Sequence, residues 1–71
     1  MNAPVLLHIR FEGRSFDVPL GDLDVGTGST DEQVKQALAG YLQIDRGKFQ
    51  HYVVDRHSTG NLTMRPQAVF G

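Results

Sequence analysis

The hydrophobic pattern of this chain changes its period twice along 71 residues. Between residues 5 and 20, apolar residues occur at every second position, which is the period of a β-strand. Between residues 34 and 42 they recur at spacings of three and four, the period of an amphipathic helix. Alternation returns near residues 62–64. Because a chain of this length holds one domain, two hairpins and one helix must share one core.

The first hairpin is predicted from strands at 5–11 and 15–20, joined by a polar link that contains Gly13. Glycine adopts positive φ without a steric cost, which suits a tight turn between strands. Pro19 has no N–H to donate to a sheet. The second strand is therefore predicted to lie at an edge of the sheet.

The helix is predicted to follow a loop at residues 21–28, a segment with three glycines and two aspartates. Ser29 and Glu32 have the spacing of a capping box, which predicts that the helix starts there. Residues 45–47 are predicted to end the helical region. Gly40 weakens the helix interior, and we expect close packing against the sheet to account for it. The predicted apolar stripe consists of Val34, Ala37, Leu38, Tyr41 and Leu42.

The second hairpin is predicted from a strand at 49–56 and a shorter strand at 62–65, with a turn at 57–61. Aromatic and β-branched residues favour the first of these strands, and we expect Tyr52 and Val54 to point inward. Pro66 ends the last strand. Residues 67–71 then form a flexible tail, because nothing in the local pattern holds them.

These elements predict an α+β domain over residues 1–66 with the order ββαββ. One amphipathic helix covers one face of a sheet, and a right-handed crossover between the hairpins brings the first and last strands together as a parallel pair. The prediction is a β-grasp with a mixed four-stranded sheet of order 2-1-4-3. A split α+β fold with another strand order is the alternative. The predicted sheet residues of the core are Val5, Leu7, Ile9, Phe16, Val18, Leu62 and Met64.

The chain resembles the ubiquitin-like β-grasp family over nearly its whole length. Three segments carry the resemblance: Val-Leu-Leu-His-Ile-Arg-Phe at 5–11, Ser-Thr-Asp-Glu-Gln-Val-Lys at 29–35, and Leu-Thr-Met-Arg at 62–65 before a tail that ends in Gly71. The resemblance implies a protein modifier or a sulfur carrier. Both act through a C-terminal glycine whose carboxylate is adenylated by an activating enzyme and passed on as a thioester or thiocarboxylate. Here Gly71 matches that glycine, and the implied partners are the activating enzyme and target proteins.

The chain departs from the family pattern at its end and in its length. The family usually ends in two glycines, whereas Phe70 precedes Gly71 here, and the segment between the third and last strands is shorter than in ubiquitin. A phenylalanine ring clashes with a narrow channel built for two glycines, so a bacterial type of protein with dedicated enzymes is expected. The alternative is a non-covalent β-grasp interaction module, or a regulatory subunit of a larger enzyme, in which the tail has no role.

The sheet face opposite the helix is predicted to be an interaction surface. We expect Leu6, His51 and Val53 to form a small apolar centre that arginines surround, an arrangement typical of weak interfaces. If Arg56 shares this face with Arg10 and Arg65, a basic spot suited to an acidic partner results. The predicted surface residues are Leu6, His8, Arg10, His51, Val53, Thr63 and Arg65.

Composition excludes several other functions. The chain has no cysteine, so it offers no disulfide, thiolate nucleophile or thiolate metal site. Its histidines lack the spacing of a metal site, the glycines at 26–28 lack a P-loop lysine, and no nucleophile elbow is present. We therefore expect no metal, no cofactor and no catalysis. A net charge of −1 predicts neither nucleic-acid nor membrane-surface binding. The absence of a long apolar run or a signal-like start favours a cytoplasmic location. We also expect a monomer.

Overall fold

The computed structural model describes residues 5–67 and shows a small α+β domain with one mixed sheet. The elements are β1 (Leu6–Phe11), β2 (Arg14–Pro19), α1 (Leu20–Leu23), α2 (Asp31–Leu42), a 3₁₀-helix (Arg46–Phe49), β3 (Tyr52–Arg56) and β4 (Leu62–Pro66). The four strands follow the order β2-β1-β4-β3, as predicted. Antiparallel pairing joins β1 to β2 and β3 to β4, and the central pair β1 and β4 is parallel.

The turn between β1 and β2 sets the register of the first hairpin. Glu12 and Gly13 both have positive φ, at 53° and 78°. Two successive positive φ values match the right-handed twist of the flanking strands. The resulting register places Leu7 opposite Val18 and brings both side chains to the same face.

The core lies between the sheet and α2. Most predicted sheet residues are buried there, including Leu7, Ile9 and Met64. Two members of the predicted core are exposed, Val5 by 36% and Tyr41 by 50%. Three others are only partly buried: Phe16, Ala37 and Leu42. In α2 the buried arc includes Ala39 and is rotated away from Tyr41. The predicted stripe has Ala37 in place of Ala39, because the spacing of apolar residues does not show which of the two alanines faces the sheet. The buried hydrophobic residues are Leu7, Ile9, Val18, Leu20, Leu23, Val34, Leu38, Ala39, Phe49, Val54, Leu62 and Met64.

The predicted loop at 21–28 is wrong at its beginning, where α1 forms. Leu20 and Leu23 lie three residues apart on one helical turn, and both are buried. Asp24 then adopts the left-handed conformation that ends the turn. Burial of the two leucines outweighs the low helix propensity of the glycine and aspartate between them.

The start of α2 differs from the prediction by one residue. Thr30, not Ser29, is the N-cap: its Oγ1 accepts from the Gln33 N–H at 3.2 Å, and Gln33 Oε1 accepts from the Thr30 N–H at 2.9 Å. Ser29 Oγ instead accepts from the Gly26 N–H at 3.0 Å. Both registers have the sequence pattern of a capping box, since serine or threonine is followed three residues later by Glu or Gln.

Two further predictions about local structure are wrong. A Cβ atom at Gly40 would meet nothing within 4 Å, so close packing does not account for this glycine. The predicted strand at 49–56 begins at Tyr52, because residues 46–49 form the 3₁₀-helix. Phe49 is fully buried and packs edge-to-face on Phe11 and Tyr52, with centroid distances of 5.2 and 5.3 Å. Burial of this ring explains why the chain turns here before β3 begins. Val54 points inward as predicted.

Candidate functional site: the open face of the sheet

A row of polar side chains crosses the sheet face that α2 leaves open. The registers place Asp17 of β2 opposite His8 of β1, His8 opposite Thr63 of β4, and Thr63 opposite Asp55 of β3. Strand alternation puts these side chains on the face opposite buried neighbours such as Leu7. We call Asp17, His8, Thr63 and Asp55 the polar row.

Each member of the polar row has a side-chain partner. His8 Nδ1 lies 2.6 Å from Asp17 Oδ1, and His57 Nε2 lies 2.7 Å from Thr63 Oγ1. Arg65 Nε donates to Asp55 Oδ2 at 2.6 Å. A groove of about 270 Å³ follows part of the row. Its lining includes Leu6, His8, Asp17, His57, Asn61 and Thr63.

The Asp55–Arg65 pair is the part of the row with the clearest electrostatic effect. The hydrogen bond from Arg65 lowers the pKa of the Asp55 carboxyl below its ordinary value of 3.8, and the Arg65 charge acts in the same direction. Reciprocally, the hydrogen bond to Asp55 raises the pKa of Arg65. Both side chains are about half exposed, so solvent screens the pair and its contribution to stability is small.

The predicted surface residues do not form the expected apolar centre. The Leu6 N–H donates to Asn61 Oδ1 at 3.0 Å, which places Leu6 beside the start of β4. Val53 of β3 is opposite Arg65 of β4, and Arg65 lies four residues after Asn61, the partner of Leu6. At the rise of a β-strand, four residues correspond to about 13 Å. Leu6 and Val53 are therefore separate, with Thr63 and its polar neighbours between them.

One of the three arginines predicted for the basic spot does not lie on the open face. Arg56 lies on the helix side of β3, where its guanidinium donates to Asp31 Oδ1 at 2.8 Å and to the Ser29 carbonyl. Strand alternation assigns Arg10 and Arg65 to the open face, and Arg65 is paired with Asp55. The face therefore presents paired charges next to Arg10 and does not form a continuous basic patch.

The predicted surface omits Asp17, Asp55 and His57. Asp17 had a local signal, because the two-residue turn at Glu12 and Gly13 sets the hairpin register that brings it opposite His8. The position of Asp55 depends on how β3 pairs with β4, which no local signal gives. Within residues 5–67, no three His, Asp or Glu side chains are arranged to hold a metal ion.

The end of β4 is held by a backbone hydrogen bond. The Gln67 N–H donates to the His51 carbonyl at 2.7 Å, which continues the β3–β4 ladder past Pro66. His51 itself is exposed and precedes β3. Of the predicted tail at 67–71, the structure describes Gln67 alone. The other tail residues, including Gly71, the predicted site of activation, lie outside the described part of the chain.

Comparisons with known proteins do not assign the chain to a family. It matches no protein-family model, and neither a curated protein nor a solved structure shows significant similarity to it. In the described residues, no helix has the length and apolar character needed to cross a membrane.

Proposed function

We propose that this chain is a ubiquitin-like β-grasp protein that serves as a protein modifier or carrier, activated at Gly71. The fold supports the β-grasp part of the proposal. Its two hairpins flank the 12-residue helix α2, and the first and last strands pair in parallel at the centre of the sheet. This is the arrangement that the resemblance to ubiquitin-like proteins implies.

The observation that carries the functional proposal is the anchored end of β4. The Gln67 N–H is bonded to His51, so Gly71 is four residues away from a fixed point of the sheet. Four residues span at most about 14 Å when extended. An enzyme that binds the domain can therefore receive the Gly71 carboxylate within about 14 Å of the end of the sheet.

The chemistry requires ATP and an activating enzyme as partners. A Gly71 carboxylate oxygen attacks the α-phosphorus of ATP, and pyrophosphate leaves, which yields an acyl adenylate. A thiolate of the enzyme, or a hydrosulfide-class donor, then attacks the acyl carbon, and AMP leaves with the electron pair of the broken C–O bond. The product is a thioester or a thiocarboxylate. Glycine suits this position because it lacks a Cβ that would hinder a narrow channel or the attack.

The test uses the full chain with a tag before Met1, expressed in the native host. We compare the wild type with a Gly71 deletion and with Phe70→Gly, and look for larger tagged species and for a C-terminal thiocarboxylate mass. We expect the deletion to abolish every ATP-dependent adduct while the circular dichroism spectrum stays unchanged. Phe70→Gly reports whether the enzyme uses the ring: its adducts decrease if a pocket binds Phe70 and persist if the enzyme ignores it.

Two results contradict the proposal. One is a deletion that forms the same adducts as the wild type. The other is the absence of any C-terminal adduct when the lysate contains an activating enzyme that is active on another substrate. Either result leaves the non-covalent module as the better interpretation.

A second function, non-covalent binding through the open face, is favoured by the polar row. Side chains from all four strands meet there, and Arg10 lies beside them on the same face. We expect Arg10→Glu to abolish capture of a specific partner, and Arg14→Glu, an exposed change at the end of the hairpin, to preserve it. Partners are identified by mass spectrometry with the tagged Gly71 deletion as bait. A partner that Arg10→Glu still captures equally does not bind this face.

A further inference from the structure

The outer edge of β3 carries backbone groups that pair with nothing in the described residues. Two hydrogen bonds show which groups of β3 point towards β4: the Gln67 N–H donates to the His51 carbonyl, and the His57 N–H donates to the Asn61 carbonyl. Both fit the register that pairs Asp55 with Thr63. In an antiparallel ladder this direction alternates from residue to residue. The N–H and C=O groups of Tyr52, Val54 and Arg56 therefore point outward.

The opposite edge of the sheet, formed by β2, is less open. The Leu20 N–H donates to the Val5 carbonyl, in register with the β1–β2 ladder. By the same alternation, Ser15, Asp17 and Pro19 face outward. Pro19 has no N–H, and proline is one of the devices that protect sheet edges from pairing. The β3 edge has three outward donors and no proline, so it is the better template for a further strand.

A groove of about 340 Å³ lies between α2 and the 3₁₀-helix that precedes β3. On the helix side of β3, Arg56 is paired with Asp31, the residue before Glu32 of the groove lining. The groove therefore begins next to the contact between β3 and α2. It is lined by Glu32, Lys35, Gln36, Arg46, Gly47 and Gln50.

Three charged residues line this groove: the cations Lys35 and Arg46 and the carboxylate Glu32, so its lining has a net charge of +1. The neighbouring Arg56 and Asp31 form an ion pair and add no net charge. The Lys35 side chain is only 11% exposed, and its Nζ is 3.6 Å from Glu32 Oε1. Arg46 has no ion-pair partner within residues 5–67. A negative group that enters the groove would thus meet a confined ammonium and an unpaired guanidinium.

We propose that the β3 edge binds an extended, acidic segment of a partner protein by strand addition. The partner's main chain pairs with Tyr52, Val54 and Arg56, which supplies affinity, and its alternate side chains supply specificity. Those on the helix side enter the groove, where carboxylates face Lys35 and Arg46. This proposal does not depend on activation of Gly71.

The probes are two synthetic peptides of eight residues that alternate valine with a polar residue. In the first peptide the polar residues are glutamate and threonine; in the matched peptide lysine replaces glutamate. Each is titrated into the full ¹⁵N-labelled chain, and amide shifts and hydrogen exchange are followed by NMR. We expect the acidic peptide to shift and protect the amides of Tyr52, Val54 and Arg56, with at least tenfold higher affinity than the lysine peptide.

Backbone variants test strand addition directly. Arg56→Pro removes one outward N–H, whereas Arg56→Ala removes the side chain and keeps that donor. We expect Arg56→Pro to bind the acidic peptide about tenfold more weakly than Arg56→Ala, the effect of one lost backbone hydrogen bond. Ser15→Pro, which removes an outward N–H from the β2 edge, is the matched control and should bind as the wild type does.

Arg46→Glu tests the groove without touching the backbone of β3, so a folding defect in Arg56→Pro leaves the proposal testable. We expect it to reverse the preference between the two peptides. The proposal is overturned if neither peptide binds, if both bind equally, or if the shifts occur at Ser15 and Asp17. Concentration-dependent shifts of the β3 amides without peptide would also overturn it, because they would assign this edge to a second copy of the chain.

Discussion

Leu38 lies at the centre of the contact between α2 and the sheet, and its truncation is the most direct test of the core. The side chain is fully buried and belongs to the same cluster as Leu7, Ile9 and Met64. Leu→Ala changes at such positions cost about 2–5 kcal/mol, because apolar contact is lost and a cavity remains. A domain of 71 residues has a total stability of roughly 4–11 kcal/mol. Leu38→Ala should therefore remove a large part of the free energy of unfolding.

The assay is urea unfolding followed by circular dichroism, with a thermal scan of the same samples. We expect the midpoint to fall while the m-value stays near that of the wild type, and the melting temperature to decrease by about 8 °C or more. Tyr41→Ala is the matched control on the same helix, since Tyr41 is 50% exposed and should cost much less. A Leu38→Ala midpoint equal to that of the wild type, or a larger loss from Tyr41→Ala, would refute the packing.

Three further predictions concern helix propensity, capping and charge. Gly40→Ala should stabilise the protein by about 1 kcal/mol in urea unfolding, because the position is exposed and open to a Cβ; a loss of stability would show a contact that the structure lacks. Thr30→Ala should cost about 1 kcal/mol of unfolding free energy, whereas Glu32→Ala should change it by less than about 0.5 kcal/mol. A larger loss from Glu32→Ala than from Thr30→Ala would identify Ser29 as the N-cap. NMR titration should find the Asp55 carboxyl half-protonated below pH 3.8 in the wild type and nearer that value in Arg65→Gln. Because the pKa of Asp55 is lowered in the folded state, the stabilisation from this pair is present above pH 3.8 and is lost as the pH falls through the folded pKa. An Asp55 titration midpoint that is the same in Arg65→Gln as in the wild type would exclude the pairing.

The candidate face could be predicted only as far as strand alternation reaches. Alternation assigns His8 and Thr63 to the same side of the sheet, and the structure places them opposite each other. It does not say how far apart residues of different strands lie along the sheet. Leu6 and Val53 were therefore expected to meet, although the registers separate them. The register between β1 and β4 depends on a crossover through α2, which no local pattern specifies.

Local signals in the sequence determined the order of the main elements and the tight turn at Gly13, because period two, period 3.6 and turn residues are short-range patterns. The preferred right hand of crossovers then favoured the strand order 2-1-4-3 over the alternative. Tertiary structure decided three features that those rules could not reach. It folded Leu20–Leu23 into a helical turn, buried Phe49 ahead of β3, and turned Tyr41 towards solvent. Each depends on the free energy of burying one side chain against partners distant in sequence, a term that outweighs local propensities of at most about 1 kcal/mol per residue.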